Sequence, residues 1–300
     1  MTKKLLWLLF IVILLLFAGG LLYWKMAHVP PPSSPVATNW PASVPFPPSS
    51  SPAAPAGRPA GPPAAAETSN KREPAPAEPS FVLRQGEALE YDANVTKLNS
   101  TVARLRISAV EKRTTAGKGI WHLQALAHTE NPYRMVFELD DQFDSYSDAG
   151  TMTSVQYEMH LSERGQKVDS VQRMLSSMQD PVPPGGSAAR VLPGTRDPLG
   201  MLAYLRSVDW AHTSEVRCPV YDGHKLYDVR AVLVGKSAGV TVPAGKFNTT
   251  KIEIHVLDNG TEMKDAHFIL YLTSDGTRLP VLMEAVLPVA TARVELTKAK

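Results

Sequence analysis

The chain has 300 residues, with 31 Lys and Arg against 29 Asp and Glu and a net charge of +2 at pH 7. Lys3, Lys4 and Lys25 exceed that surplus on their own, and no basic stripe follows residue 80, which excludes nucleic acid as a partner. The single cysteine, Cys218, rules out an intrachain disulfide and is expected in the core as a small hydrophobe.

Residues 1–4 read as a cytoplasmic stub. Leu5 to Trp24 follows as 20 residues without a charge, which at 1.5 Å per residue covers about 30 Å, the thickness of a hydrocarbon core. Trp7, Tyr23 and Trp24 place amphipathic rings at its two ends, and Lys3 and Lys4 hold the N-terminus on the cytoplasmic side. The competing reading is a cleaved signal peptide. Its apolar region is usually shorter, and here the small residues Ala18-Gly19-Gly20 lie inside the run, so the anchor is preferred. On either reading the remainder of the chain is exported, and the expected location is the inner membrane with the C-terminal domain in the periplasm.

Residues 25–79 form a Pro/Ala/Ser-rich segment; 16 of the 26 prolines fall between His28 and Pro79. Such a composition cannot bury enough apolar surface to offset the entropy of ordering, so a disordered linker with polyproline II character is expected. Pro30-Pro31-Pro32 or Pro45-Phe46-Pro47-Pro48 could also dock an aromatic groove, although nothing selects that reading over a spacer.

From residue 80 to 300 the pattern changes to short alternating runs, the mark of half-buried strands. Ala103, Leu105, Ile107 and Ala109 share one face, Trp121, Leu123, Ala125 and Ala127 a second, and Tyr133, Met135, Phe137 and Leu139 a third. Further strands are predicted at Val155–Leu161, Lys225–Val234, Lys246–Leu257, Ala266–Leu272 and Pro280–Leu287. Asp222-Gly223, Asn259-Gly260 and Asp275-Gly276 mark hairpins through the positive φ that tight turns require. One helix is predicted over Asp197–Ser207, with Asp197 as cap and Pro198 in the first turn. Val168–Met178 fits a second helix or a strand equally, and Asp180–Gly194 reads as a loop. The fold class is mainly β: an antiparallel rolled or barrel-like sheet with one or two short helices.

Catalytic and metal motifs are not found. Gly235-Lys236-Ser237 lacks the earlier glycine of a phosphate loop, since Arg230 stands there, and reads as a turn after Val234. The eight histidines form no paired metal motif, and His122 and His128 lie too far apart along one strand to share an ion. Asp140, Asp141, Asp144 and Asp148 cluster, but without the alternating oxygens and glycine of a calcium loop, and are expected to cap turns in a connecting loop. No nucleophile-elbow motif is present. No enzyme, cofactor or metal is expected.

Five short pieces in order make the domain resemble the bacterial domain of unknown function 3108 family over Gly86–Leu296. They are Gly86-Glu87 with Leu89 and Tyr91-Asp92; Phe137-x-Leu139-x-Asp141-x-Phe143-Asp144-Ser145-x-x-Asp148; Asp197-Pro198-Leu199 with Tyr204-Leu205-Arg206; Pro243-Ala244-Gly245-x-Phe247; and Asp275-Gly276-x-Arg278-Leu279-Pro280-Val281. The chain departs from the pattern at Ala290-Thr291-Ala292, where the family usually has a glycine before the last strand. The resemblance implies an exported domain with a rolled antiparallel sheet and no established reaction. It singles out Tyr91, Asp141, Asp144, Ser145, Asp148, Asp197, Tyr204, Arg206, Gly245, Asp275, Arg278 and Pro280. These positions either line a shared site or fix turns and a helix cap; the second reading is preferred.

Three functions fit this layout. The first is an inner-membrane-anchored periplasmic binding or scaffold module of the bacterial envelope, with an envelope protein or lipid as partner. The second is a carrier of a lipid or other apolar ligand inside the β-roll, with the Asp197–Ser207 helix over its mouth. A TonB-type energy transducer comes third, because its partner-facing domain is much smaller than this one.

Overall fold

A computed structural model of the chain describes residues 83–300, save 97, 99, 116, 178–186, 264–266 and 288–289. The stub, the apolar run Leu5–Trp24 and the segment 25–79 lie outside the described residues. Among those described, no helix is long and apolar enough to cross a membrane.

Fourteen strands make one sheet. In chain order they are β1 (Glu87–Val95), β2 (Ser100–Thr115), β3 (Lys118–Thr129), β4 (Asp140–Asp148), β5 (Ser154–Glu163), β6 (Gln166–Leu175), β7 (Ser187–Arg190), β8 (Glu215–Tyr221), β9 (Leu226–Val242), β10 (Gly245–Asp258), β11 (Thr261–Glu262), β12 (His267–Thr273), β13 (Pro280–Val286) and β14 (Thr291–Ala299). One helix, α1 (Pro198–Ser207), lies between β7 and β8. The spatial order is β7-β6-β5-β4-β3-β2-β1-β14-β13-β12-β10-β9-β8, with β11 paired to β10. Neighbours are antiparallel except β6 and β7, which run parallel. The last strand joins the first: Tyr91 lies opposite Leu296 and Asp92 opposite Glu295, so the family departure at Ala290-Thr291-Ala292 leaves β14 paired on both sides.

The sheet curls until its two halves meet. Thr195 and Arg196 bridge the gap, because the Ser154 amide donates to the Thr195 carbonyl at 3.1 Å, while the Arg196 amide donates to Pro219 O at 3.0 Å and the Arg196 carbonyl accepts from the Tyr221 amide at 2.8 Å. Near by, the Tyr221 hydroxyl donates to Gln172 Oε1 at 2.6 Å, and Gln172 Nε2 donates to Gly223 O at 2.8 Å. The inward faces of the strands then form one apolar cluster with α1, including Leu89, Leu123, Phe143, Ile252, Leu272 and Leu296. Each such large side chain stabilises the fold by about 1.5–3 kcal/mol relative to exposure. Cys218 is buried and free, as expected.

The predicted faces on β2 and β3 are found, and β5, β9, β10, β12 and β13 fall where alternation places them. Other expectations are corrected. Tyr133, Met135, Phe137 and Leu139 are not a strand: Tyr133–Met135 is a single 3-10 turn after Pro132, which has no amide hydrogen to give a ladder, and Met135 is 87% exposed. Asp140–Asp148 is not a loop but β4, whose outward Asp144 is bonded by His122 and Gln124 of β3 and by Gln142 of β4 itself. Of Val168–Met178, residues 168–175 fall in strand β6, and 178 lies outside the described residues. Within Asp180–Gly194, residues 187–190 form β7, while 180–186 lie outside the described residues. Gly235-Lys236-Ser237 is not a turn, since β9 continues to Val242 and absorbs the irregularity as a bulge opposite Thr249–Ile252, with Ser237 at φ 64°. At the β12–β13 connection the positive φ falls on Arg278, at 44°, and not on Gly276.

Asp197 caps α1 as predicted, accepting from the Gly200 amide at 2.8 Å, with Pro198 in the first turn. Every residue of the helix but Tyr204 is buried, so α1 sits inside the roll and not as a lid over its mouth. A Cβ on Gly200 would lie 2.9 Å from the hydroxyls of both Ser147 and Ser154 and 3.2 Å from Met152 O. The helix N-terminus therefore presses directly on β4 and β5.

Candidate functional site

Most polar residues of the family pattern fall into an internal group at each end of α1 and a third group on the outside of the sheet.

At the helix N-terminus, strand alternation turns Ser145 and Ser147 of β4 inward, next to Ser154 at the start of β5. Asp197 Oδ2 accepts from Ser145 Oγ and from Ser154 Oγ, each at 2.6 Å, and the Asp197 amide donates back to Ser154 Oγ at 2.8 Å. Burial pushes the Asp197 carboxyl up, against bonds from Gly200, Ser145 and Ser154 that favour the charged form. Arg196 lies 3.7 Å over the Tyr204 ring and donates to the carbonyls of Gly194 and Thr151. That contact ties Tyr204 to the segment that bridges the sheet.

At the helix C-terminus, Arg206 donates to Glu87 Oε1 at 2.6 Å and Oε2 at 3.2 Å; its side chain is 4% exposed and that of Glu87 is 11% exposed. Its Nε also donates to Arg278 O at 3.2 Å. Arg278 in turn donates to the carbonyls of Arg206 and Ser207, at 3.4 and 3.3 Å. Asp275 shapes that connection by accepting from the Thr277 amide at 2.9 Å and from Thr273 Oγ1 at 2.8 Å. Tyr91, fully buried beside them, donates its hydroxyl to Pro280 O at 2.9 Å, and burial raises its pKa far above the usual phenol value. Tyr91, Arg206, Asp275, Arg278 and Pro280, spread over almost 200 residues, thus meet at one place.

The third group is on the outer face of β3–β6. Asp144 Oδ1 accepts from His122 Nε2 at 2.7 Å and from Gln124 Nε2 at 3.0 Å, and Oδ2 accepts from Gln142 Nε2 at 2.7 Å. Burial acts to raise its pKa, but the bonds from His122, Gln142 and Gln124 outweigh that and hold it below the usual carboxylate value. Directly across on β5 stands Glu158, with His160 two residues on. His160 Nδ1 lies 2.7 Å from Asp169 on β6, and this bond raises the imidazole pKa.

The remaining pattern positions stand apart. Asp148 caps the β4–β5 turn, accepting from the Gly150 and Thr151 amides at 2.9 and 3.0 Å. Gly245, at φ 140°, closes the β9–β10 hairpin. Asp141 points inward at the end of β4 and accepts from the Ser162 amide at 2.9 Å. Burial lifts its carboxyl to about 6, while partial burial and repulsion by Asp141 lift that of the neighbouring, half-buried Glu163 to about 8. Reading the sequence did not single out Ser147, Ser154, Glu158, His160, Asp169, Arg196 or Glu163. For Glu158 and His160 a signal existed, since an i, i+2 pair in an alternating strand shares one face.

The fold is thus a curled antiparallel sheet plugged by one helix whose two ends are tied to the strands by buried polar bonds. The family model described as "Protein of unknown function (DUF3108)" matches residues 90–297, and the chain belongs to this family. No match to the chain is found among curated proteins. Three solved structures are similar in outline. A β-barrel-like protein of domain of unknown function DUF1849 from Brucella abortus is 12% identical, covering 72% of this chain and 97% of its own, with a TM-score of 0.48. A protein with a YmcC-like fold from Bacteroides fragilis is 10% identical over 75% of this chain and 100% of its own, with a TM-score of 0.34. A hypothetical protein of Chlamydia trachomatis is 6% identical over 75% of this chain and 94% of its own, with a TM-score of 0.36.

Proposed function

We propose that this chain is a non-catalytic binding or scaffold module of the bacterial envelope, tethered by Leu5–Trp24 and carrying the roll on the periplasmic side. The observation that carries the reading is where the internal polar residues spend their bonds. Both oxygens of Asp197 and both oxygens of Glu87 accept from the fold itself, and Arg206 is held by Glu87 and by two carbonyls of the β12–β13 connection. Groups committed in this way hold α1 in place; a general acid or base has to keep a position for a substrate proton. The tether rests on the length and flanking charges of the apolar run.

Mild crosslinking in the native organism, followed by purification and mass spectrometry, tests this reading. The expected result is a recurring envelope protein or lipid crosslinked to residues of the roll. Purified full-length protein that turns over a substrate while retaining no partner overturns it.

A further inference from the structure

We propose that Asp144, Glu158 and His160 form a divalent transition-metal site on the outer face of the roll, separate from the bonds that hold α1. One carboxylate oxygen of Asp144, one of Glu158 and one imidazole nitrogen of His160 all lie within 4.8 Å of one another. Glu158 Oε2 and His160 Nε2 are 3.5 Å apart, near the spacing of about 3.4 Å between two ligands bound tetrahedrally at about 2.1 Å.

The surroundings match those of ligands prepared for an ion. Asp169 lies 2.7 Å from His160 Nδ1 and orients the ring so that Nε2 faces Glu158; an ion bound there would displace the Nε2 proton. Carboxylate-oriented imidazole is the usual support of a metal-bound histidine. Asp144 is likewise fixed, by His122, Gln124 and Gln142. Asp144 and Glu158 are also directly opposed across β4 and β5, where like charges repel. Two carboxylates and His160 Nε2 converge there, and a metal ion that displaces the imidazole proton would take its place between them. Two oxygens and one nitrogen suit Zn2+, Mn2+ or Fe2+ better than Ca2+, which takes oxygen alone. The His160 side chain is 37% exposed, so a fourth position opens to solvent for water or for a ligand atom from a partner. The site is not legible as a motif because its ligands come from two strands.

The test is equilibrium dialysis of untagged full-length protein in detergent, stripped with chelator and returned to Zn2+, with metal counted by mass spectrometry. The expected result is one Zn2+ per chain. Binding should be lost in His160→Ala and in Glu158→Gln, and weakened at least about tenfold in Asp169→Asn, an effect typical of groups that orient a ligand. Co2+ in place of Zn2+ should give a visible absorption band that disappears in His160→Ala. His255→Ala, away from the site, should bind as the unaltered protein does. Far-UV circular dichroism confirms that each variant is folded. Zn2+ binding weaker than about 100 μM, or binding that persists unchanged in both His160→Ala and Glu158→Gln, overturns the proposal. In that event a proton on His160 is the only cation the carboxylates share.

Discussion

Arg206 and Arg278 each bond the other's backbone: Arg206 Nε donates to Arg278 O at 3.2 Å, and Arg278 Nη1 donates to Arg206 O at 3.4 Å. The exchange joins the end of α1 to the β12–β13 connection, and Glu87 of β1 supplies the charge that lets a guanidinium stay buried there.

The two arginines should therefore respond unequally to mutation. Removing one partner of a buried pair leaves the other charge uncompensated, so Arg206→Ala is expected to destabilise by about 3–5 kcal/mol. Arg206→Lys should recover little, because one ammonium cannot match the fork that grips both oxygens of Glu87. Arg278 makes longer bonds from a backbone at φ 44°, and Arg278→Gly should change stability by about 1 kcal/mol or less, since glycine removes the left-handed penalty. Urea unfolding of the three variants checks the order. Equal losses at both positions would contradict it.

At the other end of the helix, Asp197→Ala removes a cap worth about 0.5–2 kcal/mol and takes the carboxylate acceptor from the buried hydroxyls of Ser145 and Ser154, at about 1 kcal/mol each. A combined loss of about 2–4 kcal/mol is expected. Gly200→Ala should also destabilise, even though alanine is the better helix former, because its Cβ would meet Ser147 and Ser154 at 2.9 Å. Thermal melts of the two variants measure this. A neutral or stabilising Gly200→Ala would mean that α1 does not press on β4 and β5 as described.

Asp141 and Glu163 make stability depend on pH in an unusual direction. Their carboxyls are raised to about 6 and about 8, so the folded chain holds protons that the unfolded chain has released above about 4. Folding then takes up protons, and stability is greatest below the unfolded value and declines as pH rises through about 6 and on to about 8. His160, also raised, acts with the same sign, because the stability from its charged form is lost as pH rises through its folded value. Glu163→Gln isolates the carboxyl: its melting temperature should exceed that of the unaltered protein at pH 8.5 and converge with it near pH 5. A variant that is less stable at pH 8.5 would count against a Glu163 carboxyl held protonated by partial burial and by Asp141.

Legibility in the sequence followed chemistry that acts over short distances. The faces of β2 and β3 and the Asp197 cap depend on neighbours within one strand or one helical turn, and alternation and capping rules find them. Strand β4 is hidden because Asp is a poor strand former, and the cross-strand partners His122 and Gln124, with Gln142, that satisfy Asp144 there are not local in sequence. The turn Arg164-Gly165, with φ 49° and 76°, carries no Asn or Asp signal and hid the β5–β6 hairpin. The bond between Arg206 and Glu87 spans 119 positions, which no local pattern encodes. The family resemblance did bring both residues to notice, without showing that they touch.

Protease treatment of spheroplasts tests the proposed tether and its orientation most directly. The chain should stay with membranes through an alkaline wash, retain Leu5–Trp24, and be cut by added protease within 28–79, where the Pro/Ala/Ser composition predicts accessible backbone, releasing a compact fragment that carries the roll. A soluble chain that begins after Gly20 without any protease, or a full-length chain left uncut by protease in intact spheroplasts, would contradict it.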